Sequence, residues 1–341
     1  MIPFIRRKMN PASYQGQHRR SPHFEGWYYK LVDKDERRAF AVIPGVFVGK
    51  NRAENHAFIQ VLDGNRRQVH YIRYPLEVFA STDGRFDVQI GPNAFSADGL
   101  RVDIRSEGLS MRGELRFSSL VHWPVSFFSP GIMGWYAWVP FMECYHGIIS
   151  LSHGISGTLC INGIEINFSG GKGYIEKDWG RSFPEAWVWF QSNHFEDAGT
   201  SLTASLAVIP WIHQPFLGFI VGLWHRNRLY RFATYTGAKT TRLHIDESGV
   251  QWTIHQKEWT LDLHAFSSEG GWLQAPRNEG MVNRIPESLD SSVEIALTLE
   301  GPSKREVCFQ GKGRRAGYEA AGNLERLLDM AGHQWNLEKR R

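Results

Sequence analysis

Hydrophobic and polar residues alternate along most of the chain with a period close to two, the period of β-strands rather than of helices. Turn-forming pairs such as Asp83-Gly84 and Asn162-Gly163 separate the alternating runs. In the first half of the chain the runs are 38–47, 57–62, 68–72, 99–104, 110–117 and 163–168. Many short strands separated by tight turns are typical of antiparallel sandwiches and barrels. The pattern therefore predicts an all-β protein.

The alternation stops at a break near Pro184 and then starts again. The later runs are 187–195, 202–209, 217–224, 229–236, 250–255, 259–265 and 292–299. We therefore predict two antiparallel β domains packed together, at 15–182 and 183–322. The end of the chain differs, because Leu324, Leu327 and Leu328 have helical spacing. This spacing predicts a helical tail at 323–341, with its helix at 323–330.

The chain of 341 residues is rich in aromatic side chains, with 13 Trp, 21 Phe and 11 Tyr. Aromatic residues are common in strands generally, and they also line apolar pockets that orient a ligand, so both interpretations stay open. The net charge is +4, and the basic residues are scattered among acids rather than grouped in a stripe. Nucleic-acid binding is therefore not predicted, whereas weak attraction to an anionic membrane stays open. The oligomeric state is not indicated.

Cysteine content and the apolar stretches bear on the location of the protein. The three cysteines are far apart and form neither a disulfide framework nor a metal-binding pair, which predicts a reducing, cytoplasmic environment. The amino terminus has no signal-peptide core. The longest apolar stretch, 127–149, contains prolines, glycines and Glu143, so it is not expected to cross a membrane as a helix. A peripheral membrane contact through 135–141 stays open.

The first candidate site lies in the motif Phe24-Glu25-Gly26-Trp27-Tyr28-Tyr29-Lys30. In a strand, Glu25 shares a face with Trp27 and Tyr29. Burial on an aromatic face would raise the pKa of Glu25 and keep the carboxyl protonated near neutrality. The alternative is a structural hydrogen bond or an ion pair, for instance with an Arg of a neighbouring strand.

The second candidate site is the segment 171–184. In an extended conformation Tyr174, Glu176 and Asp178 lie on one face, and Trp179 lies on the other. Paired carboxylates are a recurrent arrangement for acid–base catalysis, because their proximity separates their pKa values. The alternative is that Glu176, Lys177 and Asp178 form a string of surface ion pairs.

Two further segments carry polar residues in aromatic surroundings. Alternation over 187–195 places Trp187, Trp189, Gln191, Asn193 and Phe195 on one face, which suits the wall of a cavity for an apolar ligand with a polar head group. Before them, Glu143 and His146 add an acid and an imidazole, although a lone His in a strand is more often structural. The spacing of histidines and cysteines predicts no metal site, and no nucleophile elbow of a hydrolase is present.

Together these motifs resemble the tocopherol cyclase family. The segment 24–30 is similar to the amino-terminal signature of that family, and 176–184 followed by the aromatic and amide residues of 187–195 is similar to its central signature. The resemblance implies two lipocalin-like barrels, distantly related to carotenoid hydratases. It also implies an enzyme that needs no cofactor: the plant cyclase protonates a prenyl double bond, and a phenol oxygen then closes a chromanol ring.

The resemblance also implies roles for individual residues. Asp178 is the first candidate for the acid, Glu25 the second and Glu143 the third, with His146 as a proton relay. The expected contacts to a hydrophobic small-molecule substrate are Trp27, Tyr29, Tyr174, Trp179, Trp187, Trp189, Gln191 and Asn193. Indole faces would stabilise the carbocation by about 0.5–2 kcal/mol each. A non-catalytic carrier of an isoprenoid and an isoprenoid hydratase are the alternatives, and a buried carboxylate that holds a proton would distinguish an enzyme from a carrier.

Overall fold

The computed structural model describes residues 3–17, 21–277, 280–301 and 304–332. The chain divides into two compact units. Unit 1 comprises Met1–Phe183 together with Gly271–Ile285, and unit 2 comprises Pro184–Gly270 together with Pro286–Arg341. The first division falls next to the break predicted from the sequence. The return of Gly271–Ile285 to unit 1 was not predicted, because it depends on pairing between distant parts of the chain.

Unit 1 is built almost entirely from antiparallel strands. Its strands are β1 His23–Val32, β2 Ala39–Val48, β3 His56–Asp63, β4 Gln68–Tyr74, β5 Phe79–Ser81, β6 Asp87–Ile90, β7 Asn93–Ser96, β8 Gly99–Ser106, β9 Leu109–Ser118, β10 Cys144–Ile161, β11 Ile164–Asn167 and β12 Lys172–Gly180. A short helix, α1, spans Pro3–Lys8, and 3-10 turns lie at Arg52–Glu54, Leu76–Val78 and Gly134–Trp138.

The sheet of unit 1 runs in the order β4-β3-β2-β1-β12-β10-β9-β8-β7-β6-β5, with β11 on β10. The chain therefore places β12 between β1 and β10, so that the two segments singled out in the sequence are direct neighbours. One face of these strands packs into the hydrophobic core of unit 1, which includes Trp27, Tyr29 and Ile175. Alternate residues of the same strands face the other way.

Unit 2 repeats this architecture on a smaller scale. Its strands are β13 Ala186–Ser192, β14 Ser201–Ile209, β15 Phe216–His225, β16 Arg228–Ala233, β17 Lys239–Asp246, β18 Gly249–Gln256 and β19 Trp259–Phe266. They are followed by β20 Gly271–Pro276, β21 Met281–Glu300 and β22 Arg305–Gly322, of which β20 and the first residues of β21 belong to unit 1. A 3-10 turn lies at Thr234–Thr236. The sheet runs in the order β16-β15-β14-β13-β22-β21-β19-β18-β17, with β20 on β21.

The predicted helix near the end of the chain is present as α2, Leu324–Met330. The side chain of Asn323 caps it by accepting a hydrogen bond from the backbone N–H of Arg326. Leu327 and Leu328 are buried in the core of unit 2, as the helical spacing predicted. The all-β class with two antiparallel units and a short carboxyl-terminal helix is therefore confirmed. The part of the predicted tail at 333–341 lies outside the described residues.

None of the helices in the described ranges has the length and hydrophobicity needed to cross a lipid bilayer. The apolar stretch 127–149 forms an irregular segment with one 3-10 turn and then enters β10.

Two glycines that face each other across β1 and β2 provide a test of the packing in unit 1. A Cβ atom at Gly45 would lie 2.2 Å from the ring of Phe58 and 2.6 Å from the backbone oxygen of Glu25. At Gly26 the nearest atom would be 3.6 Å away, on Ile43. Gly45→Ala is therefore expected to lower the free energy of unfolding by about 1–3 kcal/mol, and Gly26→Ala by much less. Denaturant titration of both variants measures the difference, and equal effects would contradict this description.

Candidate functional site

The register of three neighbouring strands brings the predicted acids together. In β1 and β12, Glu25 lies opposite Trp179, and Gly26 lies opposite Asp178. In β10 and β12, His146 lies opposite Asp178. Because side chains alternate between the two faces of a sheet, Glu25 and Asp178 lie on opposite faces.

One face of β10 and β12 carries a cluster of four polar side chains, which we call the His146 cluster: His146, Tyr174, Glu176 and Asp178. The Nδ1 atom of His146 lies 2.8 Å from Oδ1 of Asp178, and its Nε2 atom lies 3.7 Å from Oε2 of Glu176. The hydroxyl of Tyr174 donates a hydrogen bond to Oε2 of Glu176. One imidazole therefore stands between two carboxylates.

Burial within the His146 cluster is graded. The side chain of Asp178 is 25% exposed, that of His146 is 14% exposed and that of Glu176 is 7% exposed. Asp178 is thus the member of the three that a small molecule reaches most readily. The predicted face of Tyr174, Glu176 and Asp178 is confirmed, and the string of surface ion pairs is wrong, because Lys177 is fully buried on the other face.

The chemistry of the His146 cluster allows two uses. An imidazole beside carboxylates can accept and pass on a proton, as in general acid–base catalysis. The ligand-type atoms of His146, Glu176 and Asp178 also lie within 4.8 Å of one another, so these three residues could hold a metal ion. Imidazole and carboxylate ligands suit several divalent metals.

The opposite face of β1 and β12 carries a buried ion pair between Glu25 and Lys177. The Nζ atom of Lys177 lies 2.6 Å from Oε2 of Glu25, and both side chains are fully buried. The Nε2 atom of His23 lies 2.8 Å from Oε1 of Glu25. Burial alone would raise the pKa of Glu25, but the charge of Lys177 and the hydrogen bond from His23 outweigh burial, and the pKa is lowered. The prediction that Glu25 keeps its proton near neutrality is therefore wrong, and the alternative of an ion pair is correct.

The amino-terminal segment completes this ion pair. The backbone N–H of Gln15 donates to both carboxylate oxygens of Glu25, at 2.8 and 3.0 Å. The Nζ atom of Lys177 donates to the backbone oxygen of Ser13 at 2.6 Å. Each charge thus has several partners, which is what a buried ion pair needs to be stable.

Three of the predicted substrate contacts belong to this interior face. Trp27 donates from its indole nitrogen to the backbone oxygen of Ala12 at 2.8 Å, and Tyr29 donates to the backbone oxygen of Ser96 at 2.8 Å. The ammonium group of Lys177 lies 4.7 Å from the ring centroid of Trp27 and 4.8 Å from that of Trp179. Trp27 and Trp179 thus flank the ammonium group of the ion pair. All three aromatic residues lie on the face opposite the His146 cluster, so they do not form a wall around Asp178.

The predicted contacts in β13 belong to unit 2. Val188 and Phe190 pack into the core of unit 2, so Trp187, Trp189 and Gln191 lie on the opposite face of the strand. All three are buried, and the indole nitrogen of Trp187 donates to Oε2 of Glu319 in β22 at 2.7 Å.

The end of β13 corrects part of the predicted pattern. The strand ends at Ser192, before Asn193, so strict alternation does not continue. Phe195 packs into the core of unit 2 and does not share the face of Trp187. Asn193 is buried and lies beyond the strand.

Glu143, the third candidate acid, lies just before β10. Its side chain is half-buried, and its backbone oxygen accepts a hydrogen bond from the backbone N–H of Arg181. The structure does not place Glu143 in the group formed by His146, Glu176 and Asp178.

One important residue, Lys177, was missed as a member of a site, because it entered only through the alternative of a string of surface ion pairs. Glu176 was placed on one face with Tyr174 and Asp178, but it was not named as a candidate acid. The odd positions Lys177 and Trp179 alternate with the even positions Glu176 and Asp178, so a buried role for Lys177 could have been inferred once Trp179 was taken as interior.

The fold and the His146 cluster together define an all-β protein with an acid–base group on one strand face. The chain belongs to the tocopherol cyclase-like family, whose sequence profile matches residues 102–322. That match covers the whole His146 cluster and most of unit 2.

Two curated relatives of the chain are plant proteins. The chain is 25% identical over 378 aligned positions to a probable chloroplastic tocopherol cyclase of Oryza sativa subsp. japonica, and the match covers 92% of this chain and 76% of the rice protein. It is 28% identical over 203 positions to the chloroplastic tocopherol cyclase of Zea mays. That match covers 55% of this chain and 41% of the maize protein.

Solved structures share the fold. CghA in complex with Sch210972 superimposes with a TM-score of 0.54 at 14% identity, covering 89% of both chains. A second structure of CghA gives a TM-score of 0.53, also at 14% identity. At this level of identity the likeness concerns the fold alone.

Proposed function

We propose that the protein is a cofactor-independent intramolecular lyase that cyclises a prenylated phenol or quinol to a chromanol-type ring by acid catalysis. The observation that carries this proposal is the placement of His146 between Asp178 and Glu176, with the hydroxyl of Tyr174 on Glu176. Membership of the tocopherol cyclase-like family supports it.

In the proposed reaction Asp178, the most exposed of the three groups, delivers a proton to the prenyl double bond from its carboxyl. The alkene becomes a tertiary carbocation. The phenol oxygen attacks the cationic carbon, a C–O bond forms, and the phenolic O–H proton leaves. His146 accepts that proton and passes it to the carboxylate of Asp178, which it contacts, so that the acid is restored. No atom is gained or lost, so the product has the mass of the substrate.

Glu176 and Tyr174 act through His146 in this proposal and do not contact the substrate. Glu176 lies near Nε2 of the imidazole and would stabilise its charged form, and the tyrosine hydroxyl fixes the position of the carboxylate. The predicted contacts Trp187, Trp189, Gln191 and Asn193 belong to unit 2 and are given no part in this reaction.

A hydratase is the second candidate, and one observation favours it. The side chain of Asp178 is a quarter exposed, so water can reach the group that would produce the carbocation. Capture of that cation by water would give a tertiary alcohol.

The deciding experiment is incubation of the purified protein with a panel of prenylated hydroquinones, read by mass spectrometry and ultraviolet absorbance. A product of unchanged mass with a chromanol spectrum supports the cyclase, and a gain of one water identifies a hydratase. Recovery of bound but unaltered ligand would identify a carrier. Repeating the assay with a chelator tests whether a metal ion held by the His146 cluster contributes, since proton transfer from Asp178 alone would persist.

Tyr174→Phe tests the positioning of Glu176. The variant removes the hydroxyl that donates to the Glu176 carboxylate and keeps the ring. We expect kcat to fall by about tenfold, the loss of one well-placed hydrogen bond, with KM unchanged and the pH profile of kcat shifted. A structural role alone would lower thermal stability and leave the pH profile in place.

A further inference from the structure

The segment of unit 1 between β9 and β10 carries four exposed aromatic side chains, which we call the aromatic tip: Phe127, Phe128, Trp135 and Phe141. Phe127 and Phe128 occupy a tight turn that two backbone hydrogen bonds between Ser126 and Ser129 close, at 3.0 and 3.1 Å. Phe128 is 83% exposed, and Phe127 is 55% exposed. Such large apolar side chains at the end of a turn are unusual on a surface that faces only water.

Backbone polar groups of the turn at Phe127 and Phe128 are hydrogen-bonded within the protein. The indole nitrogen of Trp138 donates to the backbone oxygen of Phe127 at 2.8 Å, and the rings of these two residues are 5.2 Å apart. A carbonyl that enters an apolar medium without a hydrogen bond is costly. The closed turn and the indole together provide hydrogen bonds for the polar groups that would be buried first.

The charges around the aromatic tip complement an anionic lipid surface. Residues 119–142 contain no Asp, Glu, Lys or Arg. The carboxyl-terminal end of α1 and the residues after it lie near this segment. The position of a Cβ on Gly131 would be 3.4 Å from Pro11, and Lys8 lies over the ring of Tyr145, whose hydroxyl donates to the backbone oxygen of Val139.

The last turn of α1 contains three basic residues, Arg6, Arg7 and Lys8, and Arg6 is exposed. Arg7 is half-buried and Lys8 is buried. An uncharged aromatic surface together with an exposed arginine is a combination by which peripheral proteins bind acidic bilayers.

We propose that unit 1 docks on acidic phospholipid bilayers through this surface. The aromatic tip enters the interfacial region of the lipid, and the arginines of α1 contact the phosphate groups. The proposal does not depend on the reaction proposed above, since lipid binding is measured without any substrate.

The test is co-sedimentation of the full chain with vesicles of phosphatidylcholine and phosphatidylglycerol, and with vesicles of phosphatidylcholine alone. The double variant Phe127→Ser/Phe128→Ser is expected to reduce binding to the acidic vesicles by about tenfold or more, because it removes the inserted apolar area. Arg6→Glu/Arg7→Glu is expected to remove the preference for acidic vesicles. Trp272→Ser is the matched control, since Trp272 is 57% exposed in β20, outside the tip, and it should bind as the parent protein does.

Circular dichroism and thermal unfolding confirm that each variant folds. The proposal is overturned if the parent protein does not sediment with acidic vesicles, or if the Phe127→Ser/Phe128→Ser variant binds them equally well. It is also overturned if the tip instead joins two copies of the chain, which would appear as a dimer in size-exclusion chromatography that the variant loses, with no vesicle binding.

Discussion

Asp178→Asn is expected to lower kcat for cyclisation of a prenylated quinol by about 10²–10⁴-fold, the usual contribution of a general acid. The amide keeps the size of the side chain and a contact with His146, but it cannot deliver a proton to the alkene. Because the side chain is partly exposed and lies on the face opposite the interior of unit 1, thermal unfolding should change little. Single-turnover measurement of product by mass spectrometry separates the chemical step from binding and release.

Glu143→Gln is the matched control for this experiment. Glu143 is half-buried and carries a carboxylate just before β10, the strand of His146, but it lies outside the group of His146, Glu176 and Asp178. It should retain turnover close to that of the parent protein. Full turnover of a folded Asp178→Asn variant would remove Asp178 from the proposed role, and loss of turnover in Glu143→Gln alone would transfer that role.

Lys177→Met is expected to have the largest effect on stability. The substitution leaves Glu25 fully buried in unit 1 without its ammonium partner, and removal of one member of a buried ion pair costs about 3–5 kcal/mol. The lost cation–π contacts with Trp27 and Trp179 add to this cost. The measurement is the denaturant midpoint of the unfolding transition, followed by tryptophan fluorescence.

A double variant and a surface control make this test specific. Glu25→Gln/Lys177→Met removes both charges and should be more stable than Lys177→Met alone, because no unpaired charge stays buried. Lys312→Met breaks an exposed pair with Glu294, and such pairs contribute about 0–1 kcal/mol. If Lys177→Met were no more destabilising than Lys312→Met, the buried ion pair would not be a main source of stability.

The same pair predicts the direction of a pH effect. The pKa of Glu25 in the folded protein is lowered from its usual value of 4.5. The ionised carboxylate therefore contributes fully to the free energy of unfolding above about pH 4.5, and this contribution is lost as the pH falls through the folded pKa. The difference in stability between the parent protein and Lys177→Met should therefore be largest near neutral pH and should shrink below about pH 4.5.

Local alternation predicted more of the candidate site than any other feature of the sequence. It placed Glu176 with Asp178, and Glu25 with Trp27, without reference to any neighbouring strand, since a period of two is a property of a single strand. The turn pairs and the spacing of Leu324, Leu327 and Leu328 were likewise local, and they predicted many of the strands and the last helix. Strands β10, β17 and β22 lie outside the predicted runs.

Pairing between distant strands could not be predicted in this way. Lys177 meets Glu25 only because β12 lies next to β1 in the sheet, and His146 meets Asp178 only because β10 lies on the other side of β12. For the same reason the burial of Glu25 was predicted correctly while its pKa was not: the sign of the shift depends on the partner that the neighbouring strand supplies.

The contacts of residues 12–15 with β1 and β12 bear on how pieces of this protein can be produced. The family profile begins at residue 102, yet the carboxylate that neutralises Lys177 and the backbone groups that solvate both charges come from before residue 26. A fragment that begins at residue 102 would keep Lys177 but would lack Glu25 and the backbone oxygen of Ser13, the partners of its ammonium group. Boundaries drawn from sequence similarity alone therefore pass through the middle of the compact unit 1.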